Sequence, residues 1–215
     1  MAKLADFDGA QPSAQTVQVA DWILASGDNR GGSFIIVDKS QAHVYVFKPD
    51  GKLRGAAPAL LGLARGDDSV PGIGGKKLAD IRPDERTTPA GRFVAEMGIN
   101  AHGKDIVWVD YDAAVSMHRV LTSNPAQRRP ERLASTTPKD NRISYGCINL
   151  PAPFYEKVVS ATVQEGRTII YVLPETRPAA VVFGFSPNET ASARRSAASI
   201  PARRHGIDLR RLDGA

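Results

Sequence analysis

Cysteine is nearly absent from this 215-residue chain, which contains only one. A single cysteine excludes an internal disulfide framework and any zinc site built from several cysteines. Residues 1–20 lack a basic segment followed by an apolar run, so we expect no signal peptide and no membrane span there. Zinc-finger spacing, an aromatic RNA-binding block and a continuous basic helix are also missing. The net charge of +5 therefore suits an anionic partner such as a carboxylate-rich polymer, and we expect no nucleic-acid binding.

The length suits one good-sized domain with appendages, and the 42% of hydrophobic residues suffice for a core. β-branched and aromatic runs predict a mainly β fold with a few helices. We predict strands over 33–38, 42–47, 52–64, 91–97, 105–110, 113–121 and 167–173, with one more at the edge over 179–185. We predict helices over 15–26, capped by Ser13 and ended by Gly31-Gly32, and over 151–164, beginning at a proline.

Two long segments between or after these elements call for separate interpretation. Residues 65–86 form a loop whose glycine cluster lacks the Lys-Ser/Thr element of a phosphate loop, and its length favours a role as one wall of a substrate groove. Residues 186–215 are rich in Ser, Ala, Pro and Arg without an apolar period, which predicts a basic, flexible tail. Asp110 and Asp112 lack a nearby His or Glu cluster, so we expect turn-capping or solvated carboxylates rather than metal ligands.

The one cysteine, Cys147, lies where a β-like run ends in glycine and a proline follows shortly. This pattern predicts a sulfur at the end of a strand, just before a helix, where backbone amides can stabilise negative charge. A lone cysteine is often only a small buried hydrophobe, but Gly146 and the short polar residues Ser144 and Asn149 favour a reactive thiol. His118, in an upstream strand-like run, is the best placed of the four histidines to act as its base.

These residues resemble the signature of the L,D-transpeptidase catalytic domain, the YkuD-like family, which is a histidine, a spacer, and Ser/Thr-His-Gly-Cys-hydrophobic-Asn. Ser144, Gly146, Cys147, Ile148 and Asn149 match that signature, and His118 takes the place of the upstream histidine. A second family element, Thr-Pro-x-Gly-x-Phe, occurs at residues 88–93. Two departures are Tyr145, which replaces the second histidine, and a longer spacer, which implies an insertion at 123–141 that could cover the cleft. The resemblance spans roughly residues 33 to 173.

The resemblance implies an L,D-transpeptidase-like β-sandwich or barrel with an N-terminal helix and a helix after the cysteine. The expected domains are an N-terminal segment, 1–32, a catalytic domain, 33–185, and the tail, 186–215. It also implies acyl transfer on peptidoglycan stem peptides through a thioester on Cys147, with His118 as base and its imidazole oriented by the Arg119 carbonyl. Amide protons around Tyr145, Gly146 and Cys147 would hold the oxyanion, and the Ser144 hydroxyl would assist.

Substrate contacts are expected from Tyr145, from Asn149 and from the side chain of Arg119. The insertion region also carries several cations, and one or more of them could grip a substrate carboxylate with the planar fork of a guanidinium: Arg128, Arg129, Arg132, Lys139 and Arg142. Among these we select Arg132 and Arg142 as substrate-binding residues. The contrasting interpretation is a solvated basic loop.

Two other functions fit the same residues. A hydrolase of wall peptides or of protein-to-peptidoglycan amides would differ from a transferase only in its acceptor, and a catalytically inactive wall-binding module is suggested by Tyr145 and the long spacer. We expect no cofactor and no metal. A periplasmic or cell-envelope location follows from the implied substrate, with the chain being a mature form whose export signal has been removed. The sequence makes no prediction of oligomeric state.

Overall fold

The computed structural model describes residues 3–186, which form eleven strands and several short helices. The strands are β1 Ser33–Asp38, β2 His43–Phe47, β3 Leu53–Pro58, β4 Leu61–Gly62, β5 Gly91–Val94, β6 Glu96–Ile99, β7 Asp105–Asp110, β8 Val115–Arg119, β9 Arg142–Ser144, β10 Ile148–Leu150 and β11 Thr168–Val172. The α-helices are α1 Ala14–Ser26, α2 Arg129–Ala134, α3 Ala152–Phe154, α4 Ala161–Glu165 and α5 Ala179–Phe183.

A five-stranded sheet in the order β3-β2-β1-β11-β5 forms the centre of the molecule. β1 pairs antiparallel with β2 and parallel with β11, so it is an interior strand. Both of its faces are buried, which explains why its sequence is a continuous apolar run. Ile35 and Val37 face one core, whereas Phe34 and Ile36 face a second core on the opposite side of the sheet.

The first core lies between this sheet and a four-stranded sheet in the order β10-β8-β7-β6. Val107 and Met117 from the second sheet are fully buried there, and Met117 lies between the polar residues Ser116 and His118, as expected of a strand with one buried face. A two-stranded piece, β4-β9, lies beside these sheets. The predicted mainly β fold with a few helices is therefore confirmed, and its two packed sheets form a sandwich.

Helix α1 covers the second core. The Ser13 side chain accepts a hydrogen bond from the Thr16 amide at 3.1 Å, as an N-cap does, and Val19 and Ile23 are fully buried against the sheet. The predicted last residue, Ser26, is confirmed, but the glycine pair predicted to end the helix was wrong. Gly27, with φ of 68°, caps it in the left-handed conformation, four residues before the Gly-Gly pair that the sequence suggested.

Two predicted strands are each divided in the structure. The run 52–64 splits into β3, at the edge of the five-stranded sheet, and the short β4, which pairs with β9. The run 91–97 splits at the buried Ala95 into β5 and β6, which belong to different sheets. A chain that passes from one layer to the other keeps its apolar composition, so the sequence gives little sign of the break.

The predicted helix after the cysteine is confirmed, and it contains a π-helical turn, Tyr155–Ser160, between α3 and α4. The predicted edge strand over 179–185 was wrong, because Ala179–Phe183 is helical, with Pro178 before it and Gly184, φ of 71°, after it. A short apolar run bounded by Pro and Gly fits a helix as well as a strand. Phe183 and Phe185 stack on Trp22 of α1, at ring-centroid distances of 6.0 and 5.0 Å.

Within residues 3–186, no helix is long and apolar enough to cross a membrane. The predicted tail falls almost entirely outside the described residues. The division of the chain into three parts stays a prediction, although α1 packs on the same sheet that carries β1.

Candidate active site

Cys147 lies in a tight turn between β9 and β10. The expectation that a helix follows it directly was wrong, because β10 separates the cysteine from α3. The turn depends on Gly146, whose φ of +129° is rarely adopted by residues with a side chain. A Cβ at this position would also lie 2.9 Å from the Thr87 carbonyl oxygen, which belongs to the backbone and cannot easily move. The glycine before the sulfur is therefore required by both conformation and space.

Hydrogen bonds fix the shape of this turn. The Ser144 hydroxyl donates to the Cys147 carbonyl at 2.6 Å and accepts from the Gly146 amide at 3.1 Å. The Gly146 amide is thus engaged inside the turn, which leaves the amides of Tyr145 and Cys147 as its candidate oxyanion donors.

The two sequence elements that carry the family resemblance meet at this turn. Thr88, which is fully buried, donates its hydroxyl to the Gly146 carbonyl at 2.8 Å and accepts the Gly62 amide at 2.9 Å. The threonine therefore ties β4, the start of β5 and the cysteine turn together. Its position explains why a Thr-Pro element far upstream in the sequence can matter for the geometry around the sulfur.

His118 comes to the cysteine because β8 and β10 are parallel neighbours, with His118 in register with Asn149. Its Nδ1 lies 2.7 Å from the Arg119 carbonyl oxygen. A carbonyl only accepts hydrogen bonds, so Nδ1 carries a proton and Nε2 of the neutral ring is left as the acceptor. This contact is the one that the family resemblance implies, and it leaves Nε2 as the ring nitrogen that can accept a proton.

The groups around the sulfur favour the thiolate form of Cys147 over the thiol. Burial raises the pKa of the Cys147 thiol, but the hydrogen bond and positive charge of His118, together with the Ser116 amide and hydroxyl, outweigh burial and bring the pKa below its ordinary value. The Ser116 oxygen lies 3.7 Å from Sγ, and the thiol points to the Ala114 carbonyl at 3.7 Å. A thiol in this setting is suited to act as a nucleophile.

The sequence reading did not identify Ser116 or Ala114. Ser116 could have been found from strand period, because it stands two residues before His118 and thus on the same face of β8. Ala114 could not, since its role depends on a backbone carbonyl and on its unusual φ of +54°, which no local motif announces.

Tyr145, which stands where the L,D-transpeptidase signature has its second histidine, contacts the loop 65–86. The Arg86 guanidinium lies over its ring, 4.0 Å from the centroid, a cation–π contact. The same loop packs on the turn that leads to β8, because a Cβ on Gly74 would lie 2.2 Å from the Asp112 carbonyl oxygen. The neighbouring Asp110 caps that turn by accepting the Ala113 amide at 3.0 Å.

The insertion 123–141 packs against the site through Arg129. Asn149, which is buried, donates its Nδ2 to the Cys147 carbonyl at 3.3 Å. Its Oδ1 accepts a close hydrogen bond from Nη1 of Arg129, at the start of α2. Asn149 therefore connects the cysteine turn with the insertion.

The three arginines selected from the sequence have other partners. The side chain of Arg119 lies on the face of β8 opposite His118 and pairs with Asp105 at 2.8 Å and Glu156 at 2.7 Å. Arg132 donates to the carbonyl oxygens of residues 127 and 140. Arg142 donates to the Lys39 carbonyl and the Glu175 carboxylate, at 2.9 and 2.7 Å. Among the described residues, none of these guanidinium groups forms a hydrogen bond or ion pair with the cysteine turn, and their substrate roles stay predictions.

A buried ionic cluster supports the site from behind. The fully buried ammonium of Lys39 donates to Asp67 at 2.9 Å and to the Thr88 carbonyl at 3.0 Å. Glu175 lies 3.9 Å from the same ammonium and also accepts from Arg142. The sequence reading missed this cluster, whose members are far apart in the chain. The cluster holds the loop 65–86 and Thr88 in place.

Within the described part of the chain, no group of three or more His, Cys, Asp or Glu side chains is arranged to hold a metal ion. The chemistry available from the residues at this site is that of a thiol, an imidazole and backbone amides.

No protein-family model matches the sequence, and no curated protein matches it at a significant level. Several solved structures are similar in fold. One is the helical cell shape determining protein Pgp2 of Campylobacter jejuni, 17% identical, covering 68% of this chain and 49% of that chain, with a TM-score of 0.43. Others are the catalytic domain of the Enterococcus faecium L,D-transpeptidase, 20% identical, 66% and 98% covered, TM-score 0.38, and the Stackebrandtia nassauensis L,D-transpeptidase, 16% identical, 80% and 74% covered, TM-score 0.41. The chain spans about half the length of the Campylobacter jejuni protein.

Proposed function

We propose that this protein is a cysteine acyltransferase that acts on peptidoglycan stem peptides in the cell envelope, as an L,D-transpeptidase does. The observation that carries the proposal is the pairing of Cys147 with His118. The imidazole is held by the Arg119 carbonyl at 2.7 Å, and its interaction with the sulfur contributes to a lowered thiol pKa. The substrate class comes from the sequence resemblance at residues 88–93 and 144–149.

In the proposed reaction, Nε2 of His118 takes the proton from the Cys147 thiol, and the thiolate attacks an amide carbonyl of the donor peptide. The Tyr145 and Cys147 amides stabilise the negative oxygen of the tetrahedral intermediate. The imidazolium then gives its proton to the leaving amine, the C–N bond breaks, and a thioester remains on the sulfur. An acceptor amine attacks the thioester, loses its proton to His118, and releases the free thiol.

The donor that the resemblance implies is a tetrapeptide stem cut between its diamino acid and the terminal D-alanine. The same thioester would be hydrolysed if water replaced the amine, so the hydrolase alternative differs only in the second step. A purely wall-binding module has no use for a thiol with a lowered pKa, and the site geometry therefore favours an enzyme.

Incubation with purified disaccharide-tetrapeptide, followed by intact-mass spectrometry, tests the proposal. We expect an adduct on Cys147 equal to the donor minus its terminal alanine, and no adduct in Cys147→Ala or His118→Ala. Analysis of the products with and without an added amine separates transfer from hydrolysis. A folded wild-type protein that reacts with iodoacetamide but never forms the acyl adduct would refute the assignment of substrate.

A further inference from the structure

Arg129 is an unusual cation. Only 9% of its surface is exposed, yet within residues 3–186 it pairs with no carboxylate. Its hydrogen-bond partners are the neutral amides of Gln127, at 2.6 Å from Nε, and of Asn149. A largely buried charge without a counter-ion is unfavourable unless an anion approaches it.

The guanidinium also has an unused edge. Nε and Nη1 are engaged, whereas Nη2 has no protein partner among the described residues. In that part of the chain no fully buried side-chain nitrogen lacks a hydrogen bond, so this edge reaches solvent. An Nη edge is well suited to bind one or both oxygens of a carboxylate.

Arg129 is linked to the backbone of the nucleophile through a single residue. Arg129 shares Asn149 with the Cys147 carbonyl through hydrogen bonds. Burial and the charge of Arg132 lower the pKa of Arg129, and the charges that Cys147 and Tyr145 carry when ionised raise it. Arg129 is therefore close enough to Cys147 and to Arg132 to interact with the charge of each.

We propose that Arg129 binds a carboxylate of the acyl donor, namely the terminal carboxylate of the residue that leaves when Cys147 is acylated. This deepens the function proposed above and rests on it for the identity of the donor. The terminal carboxylate is one residue from the attacked carbonyl, so a cation joined to the cysteine turn through one side chain is in a suitable place to hold it. The insertion 123–141 would then select donors with a free terminal acid.

Alkylation of Cys147 tests the carboxylate site without a donor peptide. Iodoacetate carries a carboxylate and iodoacetamide is its neutral counterpart, and both react with the same thiolate. The rate constant for iodoacetate divided by that for iodoacetamide is therefore independent of the thiol pKa. Because the chain contains one cysteine, labelling is unambiguous. We expect this ratio to fall about tenfold in Arg129→Gln and to stay at the wild-type value in Arg128→Gln, which removes an exposed charge one residue away.

An unchanged ratio in a folded Arg129→Gln protein would overturn the proposal. So would an equal slowing of both reagents, since it would mean that Arg129 acts only on the thiolate. If Arg129→Gln does not fold, Arg129→Lys is measured instead. It keeps the charge without the fork and is expected to lose part of the preference, and full retention would contradict bidentate binding.

Donor peptides that end in a carboxylate or in a carboxamide provide the second measurement. We expect the wild type to acylate faster with the acid, and Arg129→Gln to treat the two alike. If neither peptide acylates Cys147 while the iodoacetate preference depends on Arg129, the proposed substrate is wrong and the carboxylate site stands. Equal acylation of the wild type by the acid and the carboxamide would contradict the assignment of Arg129 as the carboxylate site, but it would agree with the proposed acyltransferase function.

Discussion

Replacement of Gly146 by alanine should be among the most damaging small changes in this protein. The residue has φ of +129°, and an added Cβ would lie 2.9 Å from the Thr87 carbonyl oxygen and 3.6 Å from a Val115 methyl. The first contact is with backbone that the Thr88 hydrogen bonds hold in place. The methyl group therefore has no direction in which to relax without moving the cysteine turn.

The magnitude has two parts. A backbone conformation that L-residues rarely adopt costs about 1–3 kcal/mol, and forcing a methyl group into filled space costs a further 1–3 kcal/mol, roughly. We therefore expect Gly146→Ala to lose about 2–6 kcal/mol of unfolding free energy, a large share of the roughly 5–15 kcal/mol typical of a domain. In protein that still folds, the iodoacetamide reaction of Cys147 should slow, because the turn can no longer present the sulfur to His118.

Gly103 provides a matched control. It also has a left-handed φ, +72°, but among residues 3–186 no atom outside its chain neighbours would lie within 4 Å of an added Cβ, so Gly103→Ala should cost only the conformational part, about 1 kcal/mol. Urea denaturation of the two variants and the wild type gives the comparison. If Gly146→Ala is no less stable than Gly103→Ala and alkylates at the wild-type rate, the steric account of the cysteine turn is wrong.

Three further outcomes are expected. Thr88→Val leaves the Gly62 amide and the Gly146 carbonyl without their partner, which should cost about 2–5 kcal/mol in urea denaturation, whereas Thr88→Ser should be much milder; equal losses would contradict the hydrogen-bond account. His118→Gln should move the pH profile of iodoacetamide labelling to higher pH, because His118 contributes to the lowered pKa of Cys147. An unchanged profile would mean that His118 does not affect the ionisation of the thiol. Burial raises the pKa of Asp67, but hydrogen bonds from Thr176, the Glu175 amide and Lys39 bring it well below its usual value. The stabilisation from Asp67 is thus present above the unfolded pKa of about 4 and is lost as the pH falls. Asp67→Asn should therefore lose less unfolding free energy than the wild type when the pH is lowered from neutral to acid. Equal losses in the two proteins would refute this account of Asp67.

The parts of the fold that local pattern determines could be predicted from the sequence. The hairpin of β1 and β2 follows from two apolar runs around a polar turn, and the cap of α1 follows from Ser13. The strand between the cysteine and the next helix was missed because β10 has only three residues, too few for a period to appear. The run 179–185 is similar: a proline, two valines and a glycine permit both a helix and a strand, and contact with Trp22 decides between them.

The sequence could predict those residues of the candidate site that belong to a short motif or to a recognisable strand. Ser144 and Gly146 were singled out from the motif, and His118 from its place upstream, and the structure places all three around the cysteine. The choice among the arginines of the insertion was not predictable in this way. Which guanidinium reaches the site depends on how a two-turn segment packs on Asn149, and that contact joins positions 20 residues apart.

The origin of each group suggests how reactivity and selectivity are divided in this molecule. The sulfur, its imidazole and the turn amides are held by the sheets, by Thr88 and by Ser144, so their geometry is set by the core. Arg129 belongs to the insertion, and it contacts that core through the buried Asn149. Changes within 123–141 should therefore alter which donor is accepted while the intrinsic reactivity of the thiol stays the same. Changes at the Thr88 and Gly146 contact should do the reverse, since every substrate depends on the same turn.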